Sequence, residues 1–245
     1  MVSRQELWSR MQVDFRFTKQ ELVGLIVGML AFGFIFSFRD WGEEEFNLAV
    51  GLTHFITAAV VAGVSLLFRL SCQKIYGLAE GHKPEFKIWW TGMLISLILA
   101  FVTVGRVPLV LWGGAFTSFM VRQRLGEFRY GFSYWANGMV GYWGPMGNIL
   151  LALICAFLGY YFPESYFFQK GLVFNLVMAL CSFIPLPQLD GMAIFLGSRP
   201  LYYTGVVLTF VALVLLLTKT AAGLVIALAI AAIYGGVYWF VRSNK

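Results

Sequence analysis

Charge is what this chain has least of. Asp, Glu, Lys and Arg together make up 12% of its 245 residues, against 60% hydrophobic residues. A soluble domain of this size carries about a quarter charged residues, so the composition argues against a water-soluble fold. Cysteine is also scarce: Cys72, Cys155 and Cys181 stand apart and form no CxxC, which leaves no disulfide framework and no cysteine-rich metal site. Histidine is scarcer still. His54 and His82 are 28 positions apart, so no pair of histidines one helical turn apart exists. There is no internal repeat, and the glycine-rich patches match no phosphate-binding loop.

What is present is a series of apolar runs near the roughly 20 residues that a helix needs to cross a bilayer. They predict an all-α polytopic membrane protein with about six transmembrane helices and one returning, re-entrant element containing a candidate short β-hairpin. Residues 1–20, with Leu7, Trp8, Met11, Phe15 and Phe17 set among charges, read as an interfacial lead-in. Residues 21–245 read as a single transmembrane domain. Its spans fall at 21–38, 46–70, 139–162, from Leu172 into the prolines at 185 and 187, 201–217 and 221–241, the last two forming a C-terminal hairpin. The returning element covers 88–120, broken by Pro108 and Gly113-Gly114.

The net charge of +6 would suggest nucleic acid in a soluble protein. Here the cations gather in short loops, at 71–87, at Arg122, Arg124 and Arg129, at Arg199 and in the Arg242/Lys245 tail. The acidic residues at 40–45 and Glu164 fall between them. That asymmetry predicts a multi-pass protein of the cell membrane with both termini inside and the lipid bilayer, not nucleic acid, as its first partner. Trp89, Trp90, Trp112, Trp135, Trp143, Tyr160 and Tyr161 sit near predicted span ends and are expected to form an interfacial belt.

The run Pro185-Leu186-Pro187-Gln188-Leu189-Asp190-Gly191 organises the rest. Two prolines break a helix at membrane depth, where irregular backbone survives only against protein or a cavity. A carboxylate there marks a site. The alternative is that Asp190 lies at the interface and caps the following helix.

Gly144-Pro145-x-x-Asn148, then Asn175, then Pro185-x-Pro187-x-Leu189-Asp190-Gly191, resembles the site-2 protease family of intramembrane zinc metalloproteases. Lys74-Ile75-Tyr76-Gly77 and Pro84-Glu85-Phe86-Lys87-Ile88-Trp89 are similar to an archaeal branch of it, which implies a prokaryotic, archaeal-type source. The similarity covers about residues 46–215 and implies a site-2-protease-like core. The family holds zinc with two histidines of His-Glu-x-x-His on one helix and the Asp of the later motif, the Glu serving as general base.

By that resemblance the ligand and base positions fall on Ser65, Leu66 and Arg69. A serine hydroxyl is a poor zinc ligand, leucine takes no proton and arginine is a cation with no acceptor. Ser182 stands where the family has an asparagine. Of the metal-ligand positions, Asp190 survives. The leading expectation is therefore a pseudoprotease without a cofactor, binding membrane-embedded segments of partner proteins, with Arg69 paired to Asp190 in place of the metal. Arg69 snorkelling to the interface is the competing expectation. Two other readings stay open. One is an active intramembrane zinc protease with a relocated site on His54, Asp190 and His82. The other is a small transporter or channel lined by Asp190, Arg69 and the segment broken at Pro108. For Gly144-Pro145 the expectation is a helix start with proline in the first turn.

Overall fold

Thr18 opens the first long helix. Its hydroxyl accepts from the Glu21 N–H at 3.2 Å, while the Glu21 carboxylate accepts from the Thr18 N–H at 2.8 Å. This reciprocal capping box satisfies two donors that a helix start otherwise leaves orphaned. The computed structural model describes residues 4–42, 46–118, 121–123, 126–128 and 133–243. Along them run α1 (Arg4–Asp14), α2 (Lys19–Ser37), α3 (Leu48–Ala79), β1 (Lys83–Ile88), α4 (Trp90–Val102) and β2 (Gly113–Ser118). There follow β3 (Val121–Gln123), β4 (Gly126–Phe128), α5 (Tyr134–Tyr161), α6 (Tyr166–Ser182), α7 (Asp190–Gly197), α8 (Arg199–Leu217) and α9 (Ala221–Ser243).

The fold is mostly helical, as expected, with two small antiparallel strand pairs among the described residues. Among the described residues four helices are long and apolar enough to cross a membrane: α2, α3, α5 and α8. Six were expected. Of the other two, α6 has 17 residues, and the apolar part of α9 that meets the same description is Ala221–Gly236. The outer faces of these helices stay apolar and exposed, as at Ile26, Val60, Ile154 and Val207.

α2 and α3 pack antiparallel and close. Gly33 lies against the Ala59 backbone and Gly28 against Leu66, contacts that a Cβ would block. Phe32, Phe36 and Phe174 fill the space between α2, α3 and α6, with Phe86 and Trp112 from the strand region below them. Trp112 corrects the interfacial-belt expectation. It is 1% exposed, donates its indole N–H to the Gly24 carbonyl at 3.1 Å and packs against Phe86 with ring centres 4.0 Å apart and planes tilted by 31°. Trp90, Trp135, Tyr160 and Tyr161 do remain exposed.

α3 runs nine residues past the predicted span end, from Leu70 to Ala79, so the expected polar loop at 71–79 is helical. At about 1.5 Å per residue its 32 residues span roughly 48 Å, more than the 30 Å of a bilayer core. The predicted returning segment is α4 followed by β2. β2 pairs not within that segment but with β1, from Lys83↔Ser118 to Ile88↔Gly113. Both outer edges of this pair meet side-chain acceptors. On β1 the Phe86 N–H donates to Glu21 at 2.9 Å. On β2 the Ala115 and Thr117 N–H groups donate to Asp190 at 2.8 Å and Asn137 at 3.0 Å.

α5 starts at Tyr134, well before Gly144, so Pro145 lies inside the helix and not in its first turn. The acidic residues 43–45, the basic Arg124 and Arg129 and the terminal Lys245 fall outside the described residues.

Candidate functional site

The break after α6 delivers one carboxylate into the protein interior. Pro185 and Pro187 stop the helix, the Leu189 N–H closes a turn on the Leu186 carbonyl at 3.0 Å, and α7 begins at Asp190. Gly191 is required by the closeness of that turn: a Cβ there would stand 2.5 Å from the Ile184 carbonyl oxygen and 2.6 Å from Phe183 backbone atoms. Asp190 does not cap α7. Leu189 holds the cap position without a side-chain bond, and the Asp190 carboxylate is turned toward α3 and β2.

Three donors converge on Asp190. Arg69 Nη2 and Gln73 Nε2, one turn apart on α3, donate to Oδ2, the glutamine at 3.0 Å, and the Ala115 N–H donates to Oδ1 at 2.8 Å. The Arg69 side chain is 1% exposed and that of Asp190 0%. Arg69 is therefore paired in the interior, and the snorkelling expectation is corrected. Desolvating two charges costs several kcal/mol each. Such a pair holds only when its geometry is good and further hydrogen bonds satisfy it, which Gln73 and Ala115 supply.

Glycines make the room. A Cβ on Gly144 would stand 2.5 Å from Gln73 Nε2 and 3.1 Å from the Arg69 guanidinium; one on Gly114 would stand 3.1 Å from Asp190 Oδ1. Gly138, Gly141, Gly144 and Gly147 recur every third residue on α5, the first two facing α7 and the last two facing α3. Small residues at such spacing let helices approach closely.

A polar seam continues along the helices. Asn175 on α6 donates to Ser65 Oγ at 2.9 Å and to the Gly171 carbonyl at 2.8 Å. Among the described residues neither amide atom of the fully buried Asn148 has a hydrogen-bond partner, and Arg69 Nε and Nη1, Gln73 Oε1 and Asn175 Oδ1 likewise have none. Buried groups of this kind are ordinarily met by ordered water.

These residues do not fit a zinc ion. Ser65 is committed to Asn175, Leu66 is 0% exposed within apolar packing, and Arg69 presents a cation to the carboxylate that would be a ligand. His54 is fifteen residues before Arg69 on the same helix, about 22 Å along its axis. Its Nδ1 meets the Asp40 carbonyl at 2.8 Å, and its ring stacks on Tyr166 at 4.4 Å. His82 lies past the end of α3, in the turn into β1. The relocated site expected on His54, Asp190 and His82 is therefore not assembled, and among the described residues no three His, Cys, Asp or Glu side chains are gathered.

A second buried pair escaped sequence reading. Lys74, placed by sequence in a basic loop, lies on α3 and meets Glu21 at 2.9 Å, also donating to the Arg16 and Pro84 carbonyls. Arg69 and Lys74 thus serve two carboxylates, Asp190 and Glu21, that sit on opposite edges of the β1–β2 pair. The signal for Lys74 was present: it follows Leu70 by four residues, in phase with the buried face of α3.

No family model matches the chain, and no solved structure matches it. Among curated proteins it is similar to one from Methanocaldococcus jannaschii that is provisionally named a zinc metalloprotease, with 26% identity over 181 residues, 72% of this chain and 84% of that one.

Proposed function

We propose that this protein is a membrane-embedded, site-2-protease-like scaffold that binds transmembrane segments of partner proteins without cleaving them. In it the Arg69–Asp190 pair stands where the family carries its metal. The observation that carries this reading is the Arg69 guanidinium on the Asp190 carboxylate, at the place where the resemblance puts a metal-ligating histidine. A cation there offers no lone pair to a metal, and Leu66 offers no base to a water. The similarity to a protein named as a metalloprotease supports the scaffold; the replaced side chains support loss of its chemistry.

Placement in the membrane is part of the proposal. Four long apolar helices support it, as do their exposed outer faces. The N-terminal segment and the end of α3 share one end of the bundle, where Arg10 donates to the Leu78 carbonyl and Lys74 to that of Arg16. Asp40, Tyr166 and Lys170 meet at the other end. With the basic residues inside, this gives cytoplasmic N- and C-termini in a prokaryotic cell membrane.

Membrane fractionation tests the placement: the protein should stay in the pellet after an alkaline carbonate wash. Elemental analysis of detergent-purified protein tests the chemistry. Wild type and Asp190→Ala should both lack stoichiometric zinc, and a membrane-embedded reporter segment should stay intact beside the wild type. About one zinc per chain, lost in Asp190→Ala, would overturn the reading. The triple variant Ser65→His/Leu66→Glu/Arg69→His should gain zinc, because it restores the ligand set at the aligned positions.

A further inference from the structure

A cavity of about 290 Å³ opens at the end of the bundle opposite Asp190, between α5, α6, α8 and α9. Its walls are apolar, with Cys155, Gly159, Leu172, Leu216 and Leu224 among them, and Lys219 lies on its lining. Lys219 belongs to the turn between α8 and α9. None of the ion pairs found among the described residues involves it. Its backbone is left-handed, with φ at 51°. That position just past a helix end is where glycine is usual, because a Cβ is disfavoured there. A lysine in a strained backbone position points to a use for its side chain.

We infer that this cavity binds one acyl chain of an anionic phospholipid, with the headgroup phosphate held by Lys219. An apolar slot ending in a single unpaired cation is complementary to an amphiphile with a negative head. The first turns of α6 and α9 reach the same end and add the partial positive charge of helix N-termini. The Thr220 hydroxyl accepts from the Gly223 N–H at 3.1 Å and donates to the Thr218 hydroxyl at 3.2 Å, whose own proton goes to the Leu215 carbonyl, which leaves the lysine as the specific contact. This inference rests on the membrane placement proposed above and not on the protease-like reading.

The test is native mass spectrometry of the full-length protein in an uncharged detergent, titrated with dioleoyl phosphatidylglycerol or dioleoyl phosphatidylcholine. The wild type should take up one phosphatidylglycerol about fivefold more tightly than phosphatidylcholine, the preference expected from one surface cation. Lys219→Gln should equalise the two lipids. Gly159→Leu should weaken both, because a Cβ at Gly159 finds only Phe168 at 3.6 Å and the added side chain fills the slot. Circular dichroism identical to wild type shows that each variant is folded. Equal binding of both lipids by wild type, or a preference that survives Lys219→Gln, overturns the proposal. So does a dimer that Gly159→Leu dissociates, which would assign the slot to a second copy. Failure of membrane placement is separately visible, as recovery of the protein in the carbonate-wash supernatant.

Discussion

Replacing Asp190 by asparagine keeps an oxygen for the Ala115 N–H and removes the charge facing Arg69. The guanidinium is then buried with no anion, and its Nε and Nη1 already lack protein acceptors. Removing one partner of a buried pair costs about 3–5 kcal/mol. Arg69→Met leaves the carboxylate with two neutral donors, Gln73 and Ala115, and should fall at the lower end, about 3 kcal/mol. Asp190→Asn should therefore be the more damaging single change. The double variant leaves no unpaired charge, and its cost should return to about 1–2 kcal/mol, since apolar or neutral replacement of buried pairs is often nearly neutral. In a chain of this length about 1 kcal/mol moves the melting midpoint by roughly 2–4 °C, so the singles should lose about 6–20 °C and the double far less. The assay is thermal unfolding of the three variants in one detergent, followed by intrinsic fluorescence. A double variant that loses as much as the two singles summed would refute the reasoning, because independent sites add within about 0.5 kcal/mol.

The packing around the pair makes further expectations measurable by the same assay. Gly144→Ala should cost about 1–3 kcal/mol, as the new methyl group must displace Gln73 and the guanidinium, and Gly191→Ala should cost more, since it meets backbone that cannot rotate away. Lys74→Met should cost about 3–5 kcal/mol by stranding Glu21, and Lys74→Met/Glu21→Gln should recover part of it. His54→Ala should leave zinc content unchanged and cost about 1–2 kcal/mol, the loss of one hydrogen bond and one ring stack on Tyr166; a change in bound metal would revive a histidine site.

Arg69 and Asp190 could be matched from sequence because the family resemblance aligns them on facing elements, and a charge amid apolar residues draws attention. Gln73, Ala115 and Glu21 could not. Gln73 reads as part of a polar loop, Ala115 acts through its backbone, and Glu21 looks like a helix-capping residue, which it also is. The strand at Lys83–Ile88 was hidden by its charges, although Pro84 and Phe86 are its buried positions and alternate as a strand requires. Pro145 misled because proline usually opens helices, whereas here eleven helical residues precede it. The glycines every third residue around it were the better guide: they announce that α3 and α7 each come close to α5.

The distance along the chain between Arg69 and Asp190 has a consequence for biosynthesis. The two are 121 residues apart, so α3 is made long before its partner carboxylate exists. At about 5–20 residues per second, a ribosome takes roughly 6–24 s to bridge that interval. Under the membrane placement proposed above, α3 carries throughout it an arginine whose solitary insertion costs about 2.5–3.5 kcal/mol. That placement requires α3 to stay beside water or another protein until α7 arrives, so the half-made chain carries an unpaired charge that the finished fold does not.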